Sequence, residues 1–182
     1  PLAISNFNYS AACGDLDGDG KKDLVIGYYA LARLKYFKNT GTLVNPAFTL
    51  QSSQLDTMNL VQASAPVLAD LDNDGDLDIL AGNSGGRLTF YRNIGTTAAF
   101  NFQFITNNYM SVSVGNDAAP SLGDLDSDGD LDLLVGNRTG SLYFYRNTGT
   151  LVNPNFVFVS NSYAGINAFQ NAVPCIVDIN ND

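Results

Sequence analysis

Apolar residues along this chain fall in short runs rich in Val, Ile, Leu, Phe and Tyr, divided by Gly, Asn, Asp and Pro. Runs of that make-up between turn formers predict β-strands and hairpins, and no stretch of useful length carries the helical period. In the middle of the chain the pattern places strands near Pro66–Asp70, Asp78–Gly82, Arg87–Asn93 and Phe102–Thr106. The third of these alternates: Leu88, Phe90 and Arg92 face one way, Thr89, Tyr91 and Asn93 the other. Leu34 and Leu142, Tyr36 and Phe144 repeat the same column elsewhere.

That repetition is general. The phrase Asp15-Leu-Asp17-Gly-Asp19-Gly20-Lys21-Lys22-Asp23 returns at Asp70 to Asp78 and at Asp124 to Asp132, and begins again at Asp178-Ile-Asn180-Asn-Asp182. Successive copies start 55, 54 and 54 residues apart, and the second halves match too, at Arg33–Gly41, Arg87–Gly95 and Ser141–Gly149. The extra residue of the first unit falls between Tyr28 and Ala32, as a loop insertion does. The units are therefore 1–55, 56–109 and 110–163, with 164–182 opening another. A unit of ~50 residues with four strands cannot bury both of its faces alone, so neighbours must stack. The expected fold is all-β: propeller blades of four antiparallel strands, three complete plus the first strand of a fourth. A β-solenoid is the competing architecture, but its turns use shorter periods and the glycine-rich nonapeptide of calcium β-rolls is missing.

The phrase also carries chemistry. Carboxylates at positions 1, 3, 5 and 9, with Gly at 6 for a sharp turn, make a shell of hard oxygens that suits Ca²⁺. The expected ligands are Asp15, Asp17, Asp19 and Asp23 in the first loop, Asp70, Asp72, Asp74 and Asp78 in the second, and Asp124, Asp126, Asp128 and Asp132 in the third. The backbone carbonyl of position 7, in Lys21, Asp76 and Asp130, is the fifth. Asp178, Asn180 and Asp182 lack the ninth-position partner and form a weak or incomplete site. An EF-hand is excluded, because its twelfth position needs a bidentate Glu and here holds Ile26, Ala81 or Val135. Leu16, Leu71 and Leu125 should point inward and anchor each loop. The plain alternative is an acidic turn, but four like charges in one loop repel, and no base recurs inside the phrase to neutralise them.

Charge and composition narrow the function. The formal charge is −9, yet Glu is absent and only Asp56 and Asp117 of the 18 Asp lie outside the phrases. Three divalent ions would leave about −3, so the acidity reflects metal ligation. The nine Lys and Arg are dispersed, which argues against nucleic acid. No apolar run approaches the ~18 residues of a membrane helix. With no His, Ser-His and Cys-His nucleophile pairs are impossible, so an enzyme is not expected. Cys13 and Cys175 occupy adjacent slots of aligned repeats, facing opposite ways on a strand, which favours two small buried residues over a disulfide. Low-affinity calcium sites fill outside cells, so an extracellular or cell-surface location follows.

The phrase, followed by an apolar run ending in Gly27, Gly82 or Gly136, resembles the FG-GAP/VCBS repeat, the blade of the integrin α-subunit propeller and of many secreted bacterial propellers. The resemblance implies that each calcium loop joins the first two strands of a blade, away from the ligand-binding face. It also implies a ring of about seven blades, to which this chain contributes a part, completed by further blades or by self-association. The implied function is adhesion or recognition of protein or glycan, with Ca²⁺ as a structural staple. The alternatives are a calcium-dependent lectin, an accessory propeller of a polysaccharide-degrading enzyme, or a stalk. Candidate contact residues in the blade linkers are Met58, Asn59, Asn107, Tyr109, Asn116, Phe169 and Gln170, though ordinary polar loop and aromatic packing between blades suit each of them better. Tyr91, Tyr143 and Tyr145 could form a sugar platform, though packing between blades suits strand aromatics better. Lys38, Arg92 and Arg146 form a basic column, read as turn-stabilising. Sequons at Asn8 and Asn137 occur at about the chance level of an Asn-rich chain.

Overall fold

Alternation of apolar and polar positions, cut by turn residues at regular intervals, builds three antiparallel sheets. The computed structural model describes residues 9–28, 33–51, 55, 58 and 65–177. Strands β1 (Tyr9–Gly14), β2 (Asp23–Tyr28), β3 (Arg33–Asn39) and β4 (Phe48–Gln51) form the first sheet. Strands β5 (Ala65–Ala69), β6 (Asp78–Gly82), β7 (Leu88–Asn93) and β8 (Phe102–Thr106) form the second. Strands β9 (Ala119–Gly123), β10 (Asp132–Gly136), β11 (Leu142–Asn147) and β12 (Phe156–Ser160) form the third. Each sheet is a meander in which consecutive strands pair, as in a propeller blade. The only helical pieces among the described residues are single 3₁₀ turns, such as Tyr109–Ser111 and Tyr163–Gly165.

The blades stack face to face, β1 against β5 and β5 against β9. The alternation predicted for the third strand sets the two interfaces. Tyr91, Ile79 and Ala81 turn towards the first blade and meet Leu16, Val25 and Leu34. Leu88, Phe90 and Leu80 turn the other way and meet Leu133, Val135 and Tyr145. The middle sheet, covered on both faces, buries every residue of β6, which explains its unbroken apolar run from Ile79 to Ala81. Tyr91 is buried in the joint between the first and second blades, and Tyr145, with Tyr143 packed against the same core, in the joint between the second and third, which is the packing role expected of strand aromatics.

The other end of each sheet is closed by a linker. The Ala118 amide donates to the Asn83 carbonyl at 3.0 Å, and the Ala172 amide to that of Asn137 at 2.9 Å. These crossings explain the glycine that ends each apolar run: a Cβ on Gly82 would sit 2.0 Å from the Ala118 carbonyl oxygen, and one on Gly136 2.1 Å from that of Ala172. Beyond the linker, the chain around Ile176 lies along β9, and the Ile176 amide donates to Ser121 Oγ at 3.0 Å. This is the predicted further strand, docked on the third blade without a ladder of its own.

One expectation needs correction, and two candidate roles fall away. Cys13 and Cys175 are free and exposed, because their side chains face surfaces that no sheet covers among the described residues. Tyr109 and Met58 are buried and belong to the cores, so they leave the set of candidate contacts. Tyr109 stacks on Phe90 with ring centroids 4.7 Å apart. The Asn137 sequon is likewise internal: its amide group donates to the Val114 carbonyl at 2.8 Å. Asn59, Asn8 and the fourth phrase at Asp178, Asn180 and Asp182 lie outside the described residues.

Candidate metal centre

Each Asp-rich phrase forms the connection between the first and second strands of its sheet, at the end opposite the linker crossing. The turn is tight because two positions take left-handed backbone. Position 6 is glycine, with φ of 80° at Gly20, 94° at Gly75 and 92° at Gly129. Position 4, held by Gly18, Asn73 and Ser127, has φ of 69°, 57° and 63°. Position 4 was not singled out from sequence, although Gly and Asn there are the signal for it.

The first Asp organises the turn. Asp15 accepts the Gly18 and Gly20 amides, both at 2.8 Å, and Asp124 accepts those of Ser127 and Gly129 at 2.7 and 3.0 Å. Asp70 does the same for Asp74 and Gly75 at 3.2 and 2.9 Å. The ninth Asp ties the loop to the blade. Asp78, 1% exposed, accepts the Leu71 amide at 3.1 Å and the Asn93 amide, from the end of the third strand, at 2.7 Å. Asp132 repeats this with Leu125 and Asn147, and Asp23 with Leu16 and Asn39. Asn39, Asn93 and Asn147 then use their side-chain oxygens to hold the Asn-x-Gly turn, as Asn93 does with the Gly95 and Asn101 amides at 3.1 and 2.8 Å. Leu16 and Leu71 are buried as anchors, whereas Leu125, on the outer face of the third blade, is half-buried.

Between these fixed points the remaining carboxylates converge. Asp15, Asp17 and Asp19 bring oxygens within 4.8 Å of one another, as do Asp70, Asp72 and Asp74, and Asp124, Asp126 and Asp132. Two unit charges at that separation repel by about 3 kcal/mol at an effective dielectric of ~20. Hydrogen bonds do not relieve all of it: Asp17 Oδ1, Asp72 Oδ1 and Asp126 Oδ1 are buried without a partner. A buried oxygen left so costs about 1–3 kcal/mol, and more when charged. The same orphan at the same position of all three loops fits a hard cation. Asp76 Oδ1 and Asp130 Oδ1, at position 7, are also buried and unpartnered, so in the second and third copies the side chain of this position joins the set of unsatisfied oxygens.

The basic column is present as expected but its role is different, because it lies outside the phrase yet reaches into it. Lys38, Arg92 and Arg146 reach down from the third strand and pair with Asp17, Asp72 and Asp126, the last at 2.5 Å. The basic column is thus a set of counter-ions to position 3 and does not brace the turn, a task that falls to the neighbouring Asn. Burial, with the negative charge of Asp74 next, pushes the Asp76 carboxyl up to about 6. Burial also raises Asp78 to about 6 against the lowering effect of its two amide donors, and raises Asp130.

An open cleft of about 370 Å³ beside the first loop is lined by Asp17, Tyr36, Lys38 and residues 98–100 of the second blade, so the loops border the joints between blades. Among the described residues no helix is long and apolar enough to cross a membrane. A search of curated proteins returned no significant match. A family profile described as FG-GAP-like repeat matches residues 15–81, 70–135 and 124–182, each match running from one Asp phrase into the next. Repeats of that kind cover almost the whole sequence, and the chain belongs to the FG-GAP-like repeat family.

Proposed function

We propose that this chain is part of an extracellular propeller whose Asp loops bind Ca²⁺ as staples, and whose opposite face recognises protein or glycan. The observation that carries the calcium reading is the buried, partnerless Oδ1 of Asp17, Asp72 and Asp126, repeated among converging carboxylates. The ion would be held by Asp15, Asp17, Asp19 and Asp23, by Asp70, Asp72, Asp74 and Asp78, and by Asp124, Asp126, Asp128 and Asp132, with the carbonyls of Lys21, Asp76 and Asp130. It would supply positive charge that lets the carboxylates stay ionised and close together. With Kd values of ~10⁻⁴–10⁻³ M typical of extracellular modules, such loops fill outside cells and stay largely vacant in resting cytosol.

The role is structural. At tenfold excess over Kd each filled site adds ~1.4 kcal/mol, so three add about 4 kcal/mol to a margin of ~5–15 kcal/mol. Recognition is assigned to the linker end, where Asn107, Asn116, Phe169 and Gln170 are exposed. The burial of Tyr91 and Tyr145 weighs against a sugar platform on the strands, and hence against the lectin reading in that form. No catalytic role is proposed. Thermal unfolding in excess chelator and in millimolar Ca²⁺ tests the staple: the melting temperature should drop by several degrees without the ion and recover with it. Identical curves after confirmed metal removal would end the calcium reading, and arrays of glycans and surface-protein ectodomains test the recognition face.

A further inference from the structure

We infer that the three loops are unequal, the first being a weak cation site that its own blade already neutralises, while the second and third are the strong ones. This rests on the calcium reading above. The repeats hide the difference because the carboxylates at positions 1, 3, 5 and 9 are the same in all three copies.

Three donors distinguish the first blade. At position 7 it has Lys21 where the others have Asp76 and Asp130. The Lys21 ammonium lies 3.0 Å from Asp19 Oδ2 and donates to the Gly41 carbonyl at 3.4 Å, so it is held over the loop from both sides. On the third strand this blade has Tyr36 where the others have Phe90 and Phe144. Its hydroxyl donates to Asp23 Oδ2 at 2.9 Å and reaches Asp17 Oδ2 at 3.3 Å. Lys38, the counterpart of Arg92 and Arg146, pairs with Asp17 and also stands 3.4 Å from Asp19 Oδ2.

The consequences are legible in unsatisfied oxygens. The first loop keeps one buried partnerless carboxylate oxygen, Asp17 Oδ1. The second keeps Asp72 Oδ1 and Asp76 Oδ1, with Asp72 Oδ2 meeting only the Arg92 guanidinium, and the third keeps Asp126 Oδ1 and Asp130 Oδ1. The charged side chains of each phrase, with its third-strand base, sum to −1 in the first loop and −4 in each of the others. Ligand charge is a principal determinant of calcium affinity in loops of this kind. Lys21 and Tyr36 are therefore affinity-setting residues: they give the first blade a turn that stands without an ion, and leave the ion-dependent turns to the second and third blades.

Calcium titration of the demetallated chain by calorimetry, with equilibrium dialysis for stoichiometry, tests this. The unaltered chain should show two sites and a third at least tenfold weaker. Lys21→Asp with Tyr36→Phe takes the first loop from −1 to −3, with Lys22 still standing where the others have Leu77 and Leu131, and should strengthen the third site to within a few-fold of the other two. The reverse exchange in the second blade, Asp76→Lys with Phe90→Tyr, should remove one strong site. Three equal sites in the unaltered chain would overturn the inference whether or not any variant folds, and so would a weak site that the first exchange leaves unchanged. Binding at no loop would instead defeat the calcium reading on which it stands.

Discussion

At one end of the middle blade a buried carboxylate, Asp78, gathers the Leu71 and Asn93 amides under a crowd of further carboxylates. At the other, Gly82 and Asn83 take the linker backbone directly, amide to carbonyl, with no charged group between. The two ends do the same job, tying consecutive elements to one sheet, by opposite means. The linker end is close-packed and balances its own charge, Asp117 pairing with Arg138 at 3.6 Å, so its strength depends on shape and little on added cations. The loop end concentrates negative charge, so its strength depends on what neutralises that charge. A blade built this way can lose its hold at one end while the other keeps the chain in register.

The strongest way to break the comparison is to empty the loop end from beneath. Asp78→Ala leaves two buried amides without an acceptor, at ~1–3 kcal/mol each, so a loss of about 2–6 kcal/mol is expected. Denaturant unfolding measures it, and the loss should persist in saturating Ca²⁺, since the amides stay orphaned. Next comes Gly82→Ala at the linker end, where the added methyl would overlap the Ala118 carbonyl and the backbone must move. Overpacking of that kind costs about 1–3 kcal/mol, and here the loss should be identical with and without chelator. A Gly82→Ala loss that depends on Ca²⁺ would mean the two ends are coupled and the distinction is false.

The sequence carried more of the linker end than of the loop end's electrostatics. Strand positions and the alternation of Leu88 and Phe90 against Tyr91 were legible because they follow from a period of two, a local property, and Gly82 was legible as part of the repeated motif though not for its close approach to Ala118. So was the Asp phrase as a loop between the first two strands, together with Gly75 in its left-handed turn. What escaped depends on reach between strands. Arg92 meets Asp72 and Tyr36 meets Asp23 only because the third strand lies beside the second in a fixed register. The exposure of Cys13 escaped for a related reason: its slot is half-buried in the second blade, where Leu68 packs against the core shared with the first blade, but faces no described sheet in the first.

The smallest effect separates the ends by proton in place of metal. Asp76 and Asp78 titrate near 6 in the folded chain, above the ordinary 3.8, so the folded state holds protons that the unfolded state releases between those values. Their contribution is fully present below about pH 4 and is lost as the pH rises through 6. In chelator, therefore, the melting temperature should rise modestly as the pH is lowered from 7.5 to 5. In saturating Ca²⁺ the trend should reverse, since protons then displace a ligand that binds only the ionised loop. Asp19 works in the opposite sense: burial alone would raise it, but hydrogen bonds from Lys21 and Lys38 leave its carboxyl below the ordinary value, so its share of stability falls as acid is added. Exchanging Lys21→Asp should reduce that opposing share, leaving the part from Lys38 and the backbone amide, and steepen the rise in chelator, whereas Gly82→Ala should shift both curves down without changing their slopes. A chelated chain whose stability falls on acidification to pH 5 would show that the loop carboxylates are already compensated in the folded state, and that the two ends of the blade differ less than their charges imply.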